Sequence, residues 1–222
     1  FPHVLRDLQA WMRTARVEGA IVTHAHEDHA GNVGWLAQRG IPIALAPETE
    51  NELRAPVAIG LYRRSCWGSA PPLDATLAPM VHPSLQLIPA RGHSPDHHVV
   101  WDAERETLFS ADLFISVKLR IAQRDEDIRG QVASLRAAIE LRPKRVFDAH
   151  RGMLERPVQD LRAKADWLEG IIGEIERGAD AGWSVRQIRD QVLGPKDFTG
   201  FVSFGDYAKL NLVTSVLDSR PS

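Results

Sequence analysis

The sequence predicts an α/β core, residues 1–152, followed by a small helical subdomain, residues 153–222. Three observations carry that expectation. Short β-branched apolar runs alternate with amphipathic stretches through the first part of the chain. After His150 the periodicity becomes almost entirely helical. Four of the expected strand tips, moreover, run straight into a histidine or an aspartate.

Residues 1–16 read as an amphipathic helix, with Val4, Leu5, Leu8, Trp11 and Met12 on one side. Gly19-Ala20-Ile21-Val22-Thr23 reads as a short buried strand, from its β-branched content and the glycine before it. Residues 31–39 follow as a short helix closed by Gly40, and residues 41–46 as a strand. Residues 47–55 form a helical turn with Pro47 at its start. Residues 56–83 hold five prolines and little periodicity, and are expected to be one long loop. Strands are then expected at 85–89, 99–101 and 107–109. A helix over 125–141 carries the stripe Ile128, Val132, Leu135, Ala138 and Ile139, and residues 145–148 make one more strand.

In the tail, Pro157 opens a helix lined by Val158, Leu161, Ala165, Leu168, Ile172 and Ile175, which Gly178 is expected to stop. Ser184 and Gln187 make a capping-box pair for a second helix closed by Gly194. Asp206 is expected to cap a third that runs to Leu217.

Composition narrows the function classes. A formal charge of −2 over 222 residues provides no overall basic field for nucleic acid. No apolar run is long enough to span a bilayer, so no membrane association is expected. Cys66 is the single cysteine, which excludes an internal disulfide and fits a reducing, cytoplasmic setting. It reads as a packed or half-exposed thiol and not as a nucleophile. The chain opens Phe1-Pro2-His3, without Met or a signal-peptide pattern, and residues are expected to be missing upstream.

The chemistry concentrates in Thr23-His24-Ala25-His26-Glu27-Asp28-His29, three imidazoles and a metal-ligating carboxylate directly after an apolar strand. In an extended segment alternate side chains share a face, so His24 and His26 can reach one metal together. Asp28 and His29 fall in the turn beyond. The helical HExxH pattern is excluded, because Ala30 stands where its second histidine would be. Further along, His93 lies in Gly92-His93-Ser94-Pro95-Asp96-His97, Asp112 just past the strand at 107–110, and His150 just past 145–148. Each alone would read as a turn residue. Their recurrence at successive strand ends points to a shared metal site.

This four-part pattern resembles the metallo-β-lactamase-fold hydrolase superfamily over residues 19–152. The resemblance implies a four-layered αβ/βα sandwich of two mixed sheets flanked by helices, with metals at one edge. It implies two divalent metal ions, with zinc expected and iron or manganese compatible with the same ligands. His24, His26 and His93 would hold one ion, Asp28, His29 and His150 the other, and Asp112 would bridge them. The family's N-terminal strands are absent here, and Ala111 and Ala149 stand where glycines are usual. The candidate ligands include no cysteine, as in hydroxyacylglutathione hydrolases, lactonases and nuclease branches, which implies at most weak β-lactamase activity. The segment Phe204-Gly205-Asp206-Tyr207-Ala208-Lys209-Leu210-Asn211-Leu212 is similar to the one closing the helical domain of the β-lactamase-like-2 branch.

The implied activity is hydrolysis of an ester-like bond in a small molecule, a thioester, lactone or relative. A hydroxide shared by two metals about 3.5–4 Å apart would attack the carbonyl, with Asp28 orienting it and moving its proton. Outside the ligand set, His97 is a candidate for supporting a ligand or facing substrate, and Tyr207 a candidate contact from the tail, although it reads better as a core tyrosine. His98 is expected to pack or cap, and His3 and His82 to lie on the surface. A metal-dependent endoribonuclease or phosphodiesterase is the alternative, with Lys118, Arg120, Arg124, Arg129, Lys144, Arg145 and Arg151 as phosphate-binding cations. A structural metal site or a flavo-di-iron redox protein ranks last. The latter normally replaces a metal-binding histidine with a carboxylate and carries a flavin domain.

Overall fold

Short strands rich in Ile, Val and Leu build two sheets, and the histidine-rich segment lies where they meet. The structure is a computed structural model and describes residues 2–220. After a 3-10 turn at Pro2–Val4 come α1 (Leu5–Trp11), β1 (Ala20–Ile21), α2 (Glu27–Ala30), α3 (Val33–Gln38), β2 (Ile43–Ala44), α4 (Pro47–Arg54) and α5 (Leu61–Trp67). Then follow β3 (Leu85–Pro89), β4 (His98–Asp102), β5 (Thr107–Ala111), α6 (Ile128–Glu140), β6 (Arg145–Asp148) and β7 (Gly152–Met153). The tail is α7 (Pro157–Asp180), α8 (Val185–Val192), α9 (Phe198–Val202) and α10 (Lys209–Asp218).

Strands β1 and β2 pair in parallel as a small sheet. The larger sheet runs β3-β4-β5-β6-β7, antiparallel except for β5 beside β6, whose parallel pairing needs the α6 crossover. The two sheets face each other across a groove lined by Ile21, Leu45, Leu85 and Leu87. The amide of His98, the first residue of β4, donates to Thr23 O at 2.8 Å and ties the larger sheet to the end of the smaller.

Two apolar clusters hold this arrangement. Val22, Ala30, Val33, Ile43 and Leu73 pack α3 onto the small sheet. The larger cluster runs from Val99, Leu108 and Val146 of the sheet through Leu135 of α6 to Leu161, Leu168 and Ile175 of α7, and on to Ile188 and Val213. The tail helices thus share their core with the larger sheet. Removing one such side chain, as in Leu168→Ala, typically costs about 2–5 kcal/mol.

Four expectations change. The segment 56–83 is not one loop, since Leu61–Trp67 is helical despite the flanking prolines. Gly178 does not stop α7. It is buried inside the helix, where an added Cβ would sit 3.0 Å from Ile188 Cγ1, and the chain turns instead at Gly182, φ 77°. Asp206 caps nothing, because the carboxylate of Asp197 takes both the Gly200 amide of α9 at 3.0 Å and the Lys209 amide of α10 at 2.9 Å. The first helix is only Leu5–Trp11 and buries none of its residues, while Phe1 lies outside the described residues. The Ser184–Gln187 capping box forms with both of its bonds.

Candidate metal centre

The strand tips converge. His24 leaves the end of β1 fully buried, and His26 is the N-cap of α2, a single helical turn that carries Asp28 and His29. Asp28 and His29 are therefore helical residues and not part of an open turn. His93 sits in the loop between β3 and β4, Asp112 follows β5, and His150 follows β6.

Two ligand clusters result. The first is His24, His26 and His93, and the second is Asp28, His29, Asp112 and His150, with the ligand atoms of each within 4.8 Å of one another. In the first, His26 Nδ1 lies 3.1 Å from both His24 Nε2 and His93 Nε2. Asp112 stands between the clusters. Its Oδ1 is 2.9 Å from His29 Nε2, and its Oδ2 is 3.1 Å from His150 Nε2 and 3.3 Å from His93 Nε2. Asp28 Oδ2 is 3.7 Å from His29 Nε2 and 3.9 Å from His150 Nε2.

The titration directions follow from burial and from Asp112. Burial pushes His24 and His93 well below the ordinary imidazole range, and neighbouring imidazoles add to it. Burial, then the Arg63 charge, takes His26 down to about 3. His29 is raised: burial works against its charge, but the Asp112 carboxylate outweighs it. The hydrogen bond to Asp112 lifts His150 to about 9 against its partial burial. Asp112 is itself depressed far below the carboxylate range; burial opposes this, and the hydrogen bond to His150 together with the close His29 and His93 charges prevails.

Whether metal fits is answered by atoms that protons leave unsatisfied. A neutral imidazole has one N–H, so His26 Nδ1 can serve only one of the two nitrogens that face it. Three nitrogens about 3.3 Å apart are what Zn–N bonds of about 2.0–2.1 Å require in a tetrahedral site. In the second cluster His29 Nε2 and Asp112 Oδ1 are buried and make no aligned hydrogen bond, although they lie 2.9 Å apart. Both atoms are left without a hydrogen-bond partner, as metal-ligand atoms would be before a cation binds. The donor set is all imidazole and carboxylate, which suits zinc, iron or manganese.

Supporting groups surround these ligands. Asp96, buried, accepts the Ala25 amide at 2.8 Å and the Ser94 hydroxyl at 2.7 Å, joining the loops that carry His26 and His93. Asp148 accepts the amides of His150 and Arg151, each at 2.9 Å. Glu126 Oε1 is 3.6 Å from His93 Nδ1, and burial raises Glu126 above its ordinary range. Gly92, at φ 131°, lets its loop lie against α6, where a Cβ would meet Gln131 N at 2.2 Å. Asp96 and Asp148 are near neighbours of ligands in sequence, which is the signal that could have found them. Glu126 has no such signal.

The two outlying candidates part ways. His97 faces no solvent: its Nδ1 bonds Ala90 O at 2.9 Å and its Nε2 accepts the Asp112 amide at 3.2 Å. It supports Asp112 from behind. Tyr207 is half-buried in an aromatic group with Tyr62 and Trp67, ring centroids 5.9 and 6.1 Å away. Burial holds its phenol well above the ordinary range. His98 packs at the head of β4, its Nδ1 2.7 Å from Asp96 O, and His3 and His82 are exposed.

The sequence model of the metallo-beta-lactamase superfamily matches residues 14–150, more than half of the chain. The chain belongs to the metallo-beta-lactamase superfamily. Beta-lactamase-like protein 2 homologs resemble it at 26% identity in Drosophila melanogaster and 23% in Caenorhabditis elegans. Each match covers 65% of this chain but only 48% and 46% of the relative, so the chain spans about half their length. Among solved structures, the metallo-beta-lactamase family protein TTHA1429 from Thermus thermophilus superposes at a TM-score of 0.66. It is 14% identical, with 96% of this chain and 79% of that one covered, and shows the shared fold. TTHA1623, solved in a di-iron-bound form, is 26% identical at a TM-score of 0.56, covering 72% of this chain and 81% of its own.

A cavity of about 450 Å³ opens beside His26 in this metallo-beta-lactamase fold. One wall is apolar, with Leu53, Pro56, Val57 and Ile59, and the other polar, with Gln123, Arg124 and Asp125. Arg63 lies on it, paired with Glu27 at 2.8 Å. Its charges are Glu27, Glu52, Asp125 and Asp206 against Arg63 and Arg124, a surplus of acid. Among the described residues no helix is long and apolar enough to cross a membrane.

Proposed function

We propose that this protein is a metal-dependent hydrolase that cleaves an ester-like bond, a thioester, lactone or relative, in a small molecule. The observation that carries the proposal is the Asp112 carboxylate standing between two separate ligand clusters. A carboxylate in that position would be shared by the ions that the two clusters hold. His24, His26 and His93 would hold one ion, and Asp28, His29 and His150 the other, with Asp112 shared. When bound, a metal pair lowers the pKa of water toward 7 and polarises a carbonyl. The zinc expected from the ligand types and the iron of the TTHA1623 structure both suit this donor set.

The chain's own groups do the rest. Asp28, whose Oδ2 lies 3.7 Å from His29 Nε2 and 3.9 Å from His150 Nε2, would take the proton of the attacking water and hand it to the leaving group. Asp96 and Asp148 fix the loops around that point, and the apolar wall at Leu53 to Ile59 excludes water from one side of the substrate. The cavity accommodates a small molecule. Its acidic surplus opposes a polyanion, which weighs against the nuclease reading. Several cations which that reading would need are also engaged elsewhere: Arg129 bonds Glu176 at 2.6 Å, Lys144 pairs with Glu106, and Arg145 donates to Arg105 O. The exposed free thiol of Cys66 fits a reducing, cytoplasmic setting.

Metal analysis of the purified chain, with turnover assays on thioesters, lactones and RNA, tests the reading. About two ions per chain and ester-type turnover insensitive to salt are expected. A stoichiometry well below two, or RNA binding that weakens steeply with salt, would overturn it. With both sites saturated with metal, Asp28→Asn should lower kcat by roughly 10²–10⁴-fold, as loss of a proton-transfer group does.

A further inference from the structure

The segment just after Asp112 is held from the helical tail. Lys164 lies on the buried face of α7 among Leu161, Ala165 and Leu168, and is itself 1% exposed. Its ammonium donates to Leu113 O at 2.9 Å and to Phe114 O at 2.8 Å. From the sheet side, Asp148 Oδ2 accepts the Ile115 amide at 2.9 Å. Three consecutive residues after Asp112 thus have a backbone group bound by one of two buried side chains.

This backbone needs holding. Ala111 and Ile115 adopt φ 46° and 50°, a left-handed conformation that side chains with a Cβ resist, a β-branched one most. The same turn carries Asp112, which faces His29, His93 and His150. A lysine is also the costly way to fill this place, because burying an ammonium removes its hydration. A methionine of similar volume would meet the packing. What lysine adds is a pair of charge-assisted bonds to two carbonyls, with Glu126, Asp148 and Asp112 as the carboxylates whose charge acts on it.

We propose that Lys164 is a positioning residue of the metal centre, which from the helical tail sets the backbone that aims Asp112 at both ligand clusters. This rests on the metal-centre reading above. It makes the tail part of the site's support, although no tail residue is a ligand in that reading.

The test titrates Co²⁺ into metal-free wild type, Lys164→Met and Lys164→Gln, following visible absorption and heat of binding alongside thermal melts of each metal-free protein. Wild type should load in two steps. Lys164→Met should keep the step at His24, His26 and His93 and weaken the other by about 10–100-fold, the usual effect of losing a group that orients ligands. Lys164→Gln, which retains a hydrogen-bond donor, should fall between, and carries the same comparison should Lys164→Met not fold. Two-step loading unchanged in the variants would overturn the proposal, as would equal weakening of both steps in proportion to lost thermal stability, since that marks a structural anchor only. A wild type that binds no Co²⁺ would sink the metal-centre reading and this inference with it. Normal wild-type loading beside normal variant loading would sink only the role of Lys164.

Discussion

His26 is held down at about 3 by burial and the Arg63 charge, whereas the bond to Asp112 holds His150 up at about 9. That contrast has consequences, because a histidine must be unprotonated to bind a metal. At neutral pH the three-histidine cluster is already neutral and should bind without releasing protons. His150 should give one up, and His29, which Asp112 also raises, should release protons with it. Affinity of the Asp112 cluster is therefore expected to rise with pH until about 9, and affinity of the other cluster to stay nearly level. Calorimetry in buffers of different ionisation enthalpy counts the protons and checks both. In metal-free protein the raised folded pKa of His150 means its pairing stabilises fully below the unfolded value, and that stability is lost as pH rises through about 9. Ala111 offers a second test at this scale. Its left-handed backbone costs a non-glycine residue about 1–2 kcal/mol, partly offset by the greater unfolded-state entropy of glycine. Ala111→Gly is expected to leave stability equal or up to about 1 kcal/mol higher by denaturant melts.

Elements in this chain are set by their ends as much as by their stripes. The Ser184–Gln187 box was legible because both reciprocal partners lie within one turn, and both bonds form. Ser184→Ala should lower stability by about 1 kcal/mol and leave catalysis unchanged, read from denaturant midpoints and turnover together. The end of α7 was misread for a physical reason. Gly178 faces Ile188 and Trp183, so it serves the close approach of two helices and does not stop one. Asp206 looked like a cap, but a carboxylate nearer in space, Asp197, takes the Lys209 amide. Helix α5 was hidden because prolines on both sides of Leu61–Trp67 dominate the local composition, while the helix itself contains none. Strands β1 to β6 lie in short, bounded apolar runs, whereas β7 is two residues paired to the end of β6 and has no such run.

For the molecule as a whole, the metal centre closes the space between the small sheet, the larger sheet and the tail. Candidate ligands come from the ends of β1, β5 and β6, the turn α2 and the loop before β4, while Lys164 reaches in from α7. A metal that binds only this folded arrangement stabilises all of it. Saturation at 100 times Kd should raise unfolding stability by about 2.7 kcal/mol per site, and a chelator should remove the gain. Thermal melts at several metal concentrations measure it. A midpoint that does not move with metal would show that the clusters do not bind in the folded state.

Sequence alone determined the identity of the candidate ligands, because metal chemistry demands particular side chains and four strand tips deliver them in a recognisable order. It also determined the α/β class, since periods of two and of nearly four residues are local properties. Only the tertiary structure decided that His97 accepts the Asp112 amide from behind, and that a lysine from the tail bonds the carbonyls of the two residues after Asp112. The cavity beside His26 and its acidic surplus belong to the same category. These depend on which distant residues become neighbours. The one local trace was Lys164 itself, a lone charge among Leu161, Ala165 and Leu168 on an otherwise apolar stripe.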